Sequence, residues 1–207
     1  MSEVDVPVES AWAEKKRVTR AALRCAALTL VGERGLGRVT VEEIAAAAGV
    51  STRTFFNYFP TKEDAVIGWD PSVLADMAER LRRRPRAEPA LAALRSTLLE
   101  VLSPGFADHR DLLLRLQVTR GDPHLVAHQV LRFGDTEREL VGALAERRGL
   151  DPAHDRYASL VVAAVLAVGR AALMAWCDDA GQSALADVLA GHLDVLAGGL
   201  AEPQPPV

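Results

Sequence analysis

Apolar residues along this chain recur three and four positions apart over long stretches, and runs of β-branched and aromatic residues of strand length are few, so the pattern predicts helices throughout. One stripe over residues 11–34 is made by Val18, Ala21, Ala22, Cys25, Leu28 and Leu30, and Gly35 closes it. Thr40-Val41-Glu42-Glu43 is a capping box, in which a threonine and a glutamate satisfy free backbone amides reciprocally; it opens a short helix that ends at Gly49. Ser51 or Thr52 then caps a third helix through Tyr58. Two short helices joined by a brief glycine-containing turn predict a helix-turn-helix. Pro60 stops the third helix, a fourth begins near Lys62 with Asp64 at a capping position, and Asp70-Pro71 breaks or kinks it. Past Arg84-Pro85, long helices are expected near 88–102, 108–120, 123–148, 153–178 and 183–200. The expectation is an all-α chain of about nine helices: a helix-turn-helix domain over 11–66, a larger helical domain over 67–200, and a disordered proline-bearing tail over 201–207.

Composition agrees: 207 residues with 49% hydrophobic content exclude disorder over most of the length, and 5% aromatics argue against an all-β fold. A net charge of −4 speaks against nucleic-acid binding until it is divided along the chain. Residues 11–62 carry +5, from Lys15, Lys16, Arg17, Arg20, Arg24, Arg34, Arg38, Arg53 and Lys62 against four acids, which leaves −9 for the rest. A basic head on an acidic body suits a protein that brings one end to phosphates. Cys25 and Cys177 lie far apart, and the acidic start, Met1–Ser10, has no apolar run, so a reducing cytoplasm and thiols packed as small hydrophobes are expected. The apolar stretch 157–177 is interrupted by Arg170 and holds seven alanines, which predicts a buried helix of a soluble protein. Its Ala163, Ala167, Ala171 and Ala175 form a smooth ridge suited to a subunit interface.

Four of the ten aromatic residues, Phe55, Phe56, Tyr58 and Phe59, fall within the third helix and its end. A helix this short needs rings to anchor it, and Phe55 and Phe59, four apart, share the face for that purpose. Thr52, Arg53, Thr54, Asn57 and Tyr58 then face outward, with hydroxyls for phosphate and planar polar groups for base edges. The segments Thr40-Val41-Glu42-Glu43-Ile44-Ala45 to Gly49-Val50-Ser51 and Thr54-Phe55-Phe56-Asn57-Tyr58-Phe59-Pro60-Thr61-Lys62-Glu63 resemble the TetR/AcrR family of bacterial regulators, densely over about residues 17–66. The resemblance implies a DNA-binding domain over 11–66, with Thr40, Thr52, Arg53, Thr54, Asn57, Tyr58 and Lys62 at DNA-contact positions, Tyr58 and Lys62 on phosphates. It also implies a ligand-binding and dimerisation domain over 67–200, a homodimer on a palindromic operator, release by a small inducer, and neither catalysis nor a cofactor. Phe56 stands where many members have a phosphate-binding tyrosine, so that contact is absent; the ring either meets a thymine methyl or packs, and packing is the expectation. Arg82-Arg83-Arg84-Pro85, Leu144 to Gly149 and Ala172 to Cys177 further resemble the branch of the family that answers acyl-CoA-like ligands.

Three features of the second domain allow more than one reading. His124 and His128 share a helix face as metal ligation requires, which leaves a metal-binding protein or enzyme as the alternative function, but no zincin pattern accompanies them and solvated histidines are the expectation. Arg82, Arg83, Arg84 and Arg86 form either a phosphate-holding run or a solvated helix end. The stripe Val126, Val130, Phe133, Glu137, Leu140, Leu144 puts a carboxylate on an apolar face, and Arg170 interrupts another. These two charges form a structural pair or interface contact, or they line an inducer cavity walled by Leu113, Leu116, Phe133, Met174 and Trp176. The last two helices, with Leu185, Leu189, Leu193, Leu196 and Leu200, are expected to pack against their symmetry mates. An interaction-only helical adaptor is the remaining alternative, and it predicts no salt-dependent affinity for DNA.

Overall fold

The computed structural model describes residues 8–101 and 109–200; the proposed tail over 201–207 and the ends of two expected helices around 102–108 lie outside them. Among the described residues there are ten α-helices, one 3-10 turn and no strand: α1 Val8–Arg34, the turn Leu36–Arg38, α2 Val41–Ala47, α3 Thr52–Phe56, α4 Lys62–Ile67, α5 Pro71–Arg83, α6 Ala90–Val101, α7 His109–Gly121, α8 Pro123–Arg148, α9 Arg156–Asp178 and α10 Leu185–Ala197. The count exceeds the expected nine because the fourth helix is cut rather than kinked. Gly68 takes a left-handed conformation at φ 67° to end α4, and the Asp70 side chain then caps α5 by accepting from the Ser72 amide with Pro71 in the first turn.

The chain forms two compact units. The first joins the described residues up to Trp69 with Leu114–Gln129, and the second joins Asp70–Leu113 with the described residues from Val130 onward. In the first, Leu23, Ala27, Leu28 and Val31 of α1 meet Ile44, Phe55, Phe59, Val66 and Leu125 in one core. In the second, Leu81 of α5, Leu94 of α6, Leu140 and Leu144 of α8, Val162 and Val165 of α9 and Leu189 and Leu193 of α10 are buried together.

Several expectations change in the second unit. Leu185, Leu189 and Leu193 are buried in their own chain's core rather than left for a partner, because α10 uses that stripe against α9 and α6. Leu200, the end of the expected stripe, is 66% exposed. Ala163, Ala167, Ala171 and Ala175 all lie on the exposed side of α9. By length and composition α9 could cross a membrane, yet Arg170 lies within it and Val162, Val165, Ala172 and Trp176 face the interior. The α8 stripe is likewise buried only from Leu140; Val130 is 59% exposed. Cys177 is buried as expected, whereas Cys25 is exposed.

Arg147, 4% exposed, has a structural role that the sequence did not announce. Its guanidinium donates to the carbonyls of Arg84, Pro85 and Glu88, closing the loop between α5 and α6. A fixed fork of donors suits such a cluster of free helix-end carbonyls.

Candidate nucleic-acid interface

Local chemistry sets each turn of the helix-turn-helix. The Thr40 side chain accepts from the Glu43 amide while the Thr40 amide donates to Glu43, so the expected capping box is present. That amide, with the Arg34 guanidinium 3.1 Å away, holds the Glu43 carboxyl below its ordinary range. Gly49, at φ 69°, makes the turn between α2 and α3, a conformation that would strain any other L-residue. Ser51, not Thr52, caps α3: its hydroxyl accepts from the Thr54 amide at 3.1 Å and contacts the Thr54 hydroxyl at 2.9 Å.

Phe55 and Phe59, 0% and 1% exposed, anchor α3 as expected, their ring centroids 6.0 Å apart. Phe56 does not pack as expected. It meets Phe55 edge-on, centroids 5.5 Å apart, yet keeps 55% of its surface exposed, because the two core sites this helix can reach are already filled. Arg53 and Asn57 are exposed and their side chains make no hydrogen bond among the described residues, and Thr52 and Thr54 are half-buried beside them. Tyr58 is half-buried at the end of the helix, with the Arg20 guanidinium 5.9 Å from its ring and 4.8 Å from that of Phe59. Arg20, counted above only as one of nine bases, thus ties α1 to the end of the segment that follows α3.

Lys62 has work inside the fold. Its ammonium donates to the carbonyls of Leu36 and Val39 at 2.8 and 2.9 Å, tying the start of α4 to the chain before α2. An ammonium has three hydrogens, so one is left for a phosphate. Asp64 also does more than cap: it is 0% exposed, accepts from the Thr61 hydroxyl at 2.8 Å and stands 2.8 Å from His128 Nε2. His124 is exposed, and the described residues hold no group of three His, Cys, Asp or Glu placed to bind a metal. His128 is thus committed to the Asp64 carboxylate.

In the second unit the arginine run is engaged by acids. Arg82 bonds Glu139 and Glu146, Arg83 bonds Glu79, and Arg84 bonds Glu88 and Glu100. The hydrogen bond from Arg84, ahead of its charge, holds the Glu88 carboxyl below its ordinary value. Of the expected cavity walls, Leu113, Phe133, Glu137 and Met174 are half-buried, Leu116 is buried in the first unit, and Arg170 is exposed. Glu137 and Arg170 do not pair with each other. Trp176 is fully buried and closes the turn between α9 and α10, with Nε1 donating to the Ser183 carbonyl at 2.8 Å and its ring against Gly181.

Residues 88–201, more than half of the chain, match the profile of the MftR C-terminal domain, and residues 23–66 match that of the bacterial regulatory proteins of the tetR family. The chain belongs to the tetR family of bacterial regulators. TcmR, an HTH-type transcriptional regulator of Streptomyces glaucescens, is 32% identical over 78% of this chain and 74% of its own. The proposed mycofactocin biosynthesis regulator MftR of Mycobacterium tuberculosis is 26% identical over 94% of this chain and 98% of its own. Among solved structures, the TetR-family repressor FadR of Thermus thermophilus in complex with lauroyl-CoA aligns over 91% of this chain and 98% of that one, at 28% identity and a TM-score of 0.51. This TetR-family chain is accordingly a ligand-responsive, DNA-binding transcriptional regulator built on an all-α fold.

Proposed function

We propose that this regulator is a repressor that sits as a homodimer on a two-fold related operator and leaves it when an amphipathic inducer occupies the domain over residues 67–200. The observation that carries the reading is α3: a short helix pinned from behind by Phe55 and Phe59, presenting the side chains of Arg53 and Asn57 with no competing partner among the described residues. One such helix reads few base pairs, so two, roughly 34 to 36 Å apart on a dimer, are needed for specificity. In this reading Thr40, Thr52, Arg53, Thr54, Asn57, Tyr58 and Lys62 of the domain over 11–66 make the DNA contacts, with Arg53 and Asn57 on bases.

The exposed alanine ridge of α9 is the proposed dimer face; Val195 of α10 is also exposed, at 53%. Small side chains let two helices approach closely, and a lone charge such as Arg170 at its edge selects register. For the inducer, the reading takes Leu113, Phe133 and Met174, half-buried in the second unit, as its apolar walls and Glu137 as its polar end. A fatty-acyl or acyl-CoA-like ligand fits that chemistry, and the Thermus relative carries lauroyl-CoA. Selection of duplexes from random DNA, followed by titration of the selected complex with lauroyl-CoA, free laurate and a planar aromatic cation, tests both halves. The expected result is an inverted repeat released by lauroyl-CoA. A selected site without two-fold symmetry overturns the dimer reading, and release by the aromatic cation alone overturns the ligand class.

A further inference from the structure

Phe56 is the one exposed phenylalanine among the described residues, and it projects from the helix that reads DNA. Its base is fixed: the ring meets Phe55 at an interplanar angle of 87°, and Phe55 has no exposed surface on which to yield. Three- and four-residue spacing puts Phe56 on the same side of α3 as Thr52 and Arg53. Whatever Arg53 approaches, the outer edge of the Phe56 ring approaches too.

A phenyl ring offers neither donor nor acceptor, so it gains nothing from a phosphate oxygen or from the hydrogen-bonding edge of a base. In the major groove only thymine presents an apolar group, its 5-methyl. The surroundings favour a nucleic acid over a protein surface as the occupant, since residues 11–62 carry a net +5 and exposed Arg53, three residues from the ring, has no acid paired with it among the described residues.

We infer that Phe56 reads a thymine 5-methyl in each operator half-site, so that one thymine per half-site is required for its methyl rather than for its hydrogen-bonding edge. This rests on the reading of α3 as the helix that enters the major groove. Removing one buried methyl from water-excluded contact weakens binding by about fourfold, and by roughly fifteenfold when both half-sites lose it.

Deoxyuridine differs from thymidine by that methyl alone and keeps the base pair, so it isolates the contact without altering the protein. Duplexes obtained by selection from random DNA with the full chain are resynthesised with each thymine in turn replaced by deoxyuridine. The expected result is one position per half-site at which replacement weakens the wild-type protein about fourfold and leaves Phe56→Ala unaffected, circular dichroism showing both proteins equally folded. Equal affinity of the wild-type protein for every deoxyuridine duplex overturns the inference while leaving DNA binding by α3 intact. So does a loss of the same size in Phe56→Ala. Failure of the wild-type protein to retain any duplex instead overturns the reading of α3, and the inference falls with it.

Discussion

Removing the His128 imidazole leaves an oxygen of a carboxylate with no solvent access facing the space where its partner stood. His128 Nε2 is 2.8 Å from Asp64 Oδ1, with side-chain exposures of 19% and 0%. A hydrogen bond to a charged group contributes about 1.5 to 3 kcal/mol, and breaking a buried pair from one side costs roughly 3 to 5 kcal/mol. The Thr61 hydroxyl still holds Oδ2 at 2.8 Å, which moves the figure to the lower end. His128→Ala is therefore expected to cost about 2 to 3 kcal/mol, a fall of roughly 5 to 10 °C in the thermal midpoint for a chain of this size. Asp64→Asn removes the charge, so adding it to His128→Ala costs less than it does alone, with a coupling of about 1 to 2 kcal/mol. Urea denaturation followed by circular dichroism measures the cycle. Amide hydrogen exchange locates it, because the pair joins α4 to α8 within the first unit and protection across Leu114–Gln129 is expected to fall in His128→Ala. Additivity of the two substitutions within about 0.5 kcal/mol, with unchanged exchange over that segment, would refute the reasoning.

Lys62→Ala loses two carbonyl partners and, in the proposed reading, a phosphate contact, so it is expected to cost about 1 to 2 kcal/mol of stability, weaken all duplexes alike and lower the salt slope of binding by about 0.9. An unchanged slope would confine Lys62 to the fold. Arg53→Ala is expected to leave stability within about 0.5 kcal/mol and to relax preference at one or two base positions by about 1 to 3 kcal/mol, read by selection from random DNA. Ala171 is exposed in the single chain, so Ala171→Arg is expected to give a folded monomer without operator affinity; a dimeric, DNA-competent variant by sedimentation would remove α9 from the interface. Glu43 is held below its ordinary 4.5 by the Thr40 amide first, so its contribution is fully present above that value and is lost as pH falls through the lower folded value. Urea midpoints of Glu43→Gln and wild type should accordingly differ at pH 7 and converge as pH falls below the folded value.

The helix-turn-helix was legible in the sequence because its determinants are local. A capping box, a left-handed glycine and two rings four residues apart act over a single turn of chain, and each appears where the pattern put it. Long helices were equally plain from periodicity, and the break at Gly68 was visible in Asp70-Pro71 without being decided by it. Contacts between distant positions were another matter. Which face of α9 is left free depends on α10 and α6 covering the opposite side, so the alanine ridge could be seen but not the burial of Leu185, Leu189 and Leu193 within one chain. Asp64 finding His128, Lys62 finding the Leu36 and Val39 carbonyls, and Arg147 gathering Arg84, Pro85 and Glu88 join residues 23 to 64 positions apart. Nothing in their spacing announces them, because a buried charge takes whichever partner the packing of helices delivers. Phe56 belongs to the same class: its residue type argues for burial, and only the tertiary structure, by filling the two available core sites with Phe55 and Phe59, turns it outward.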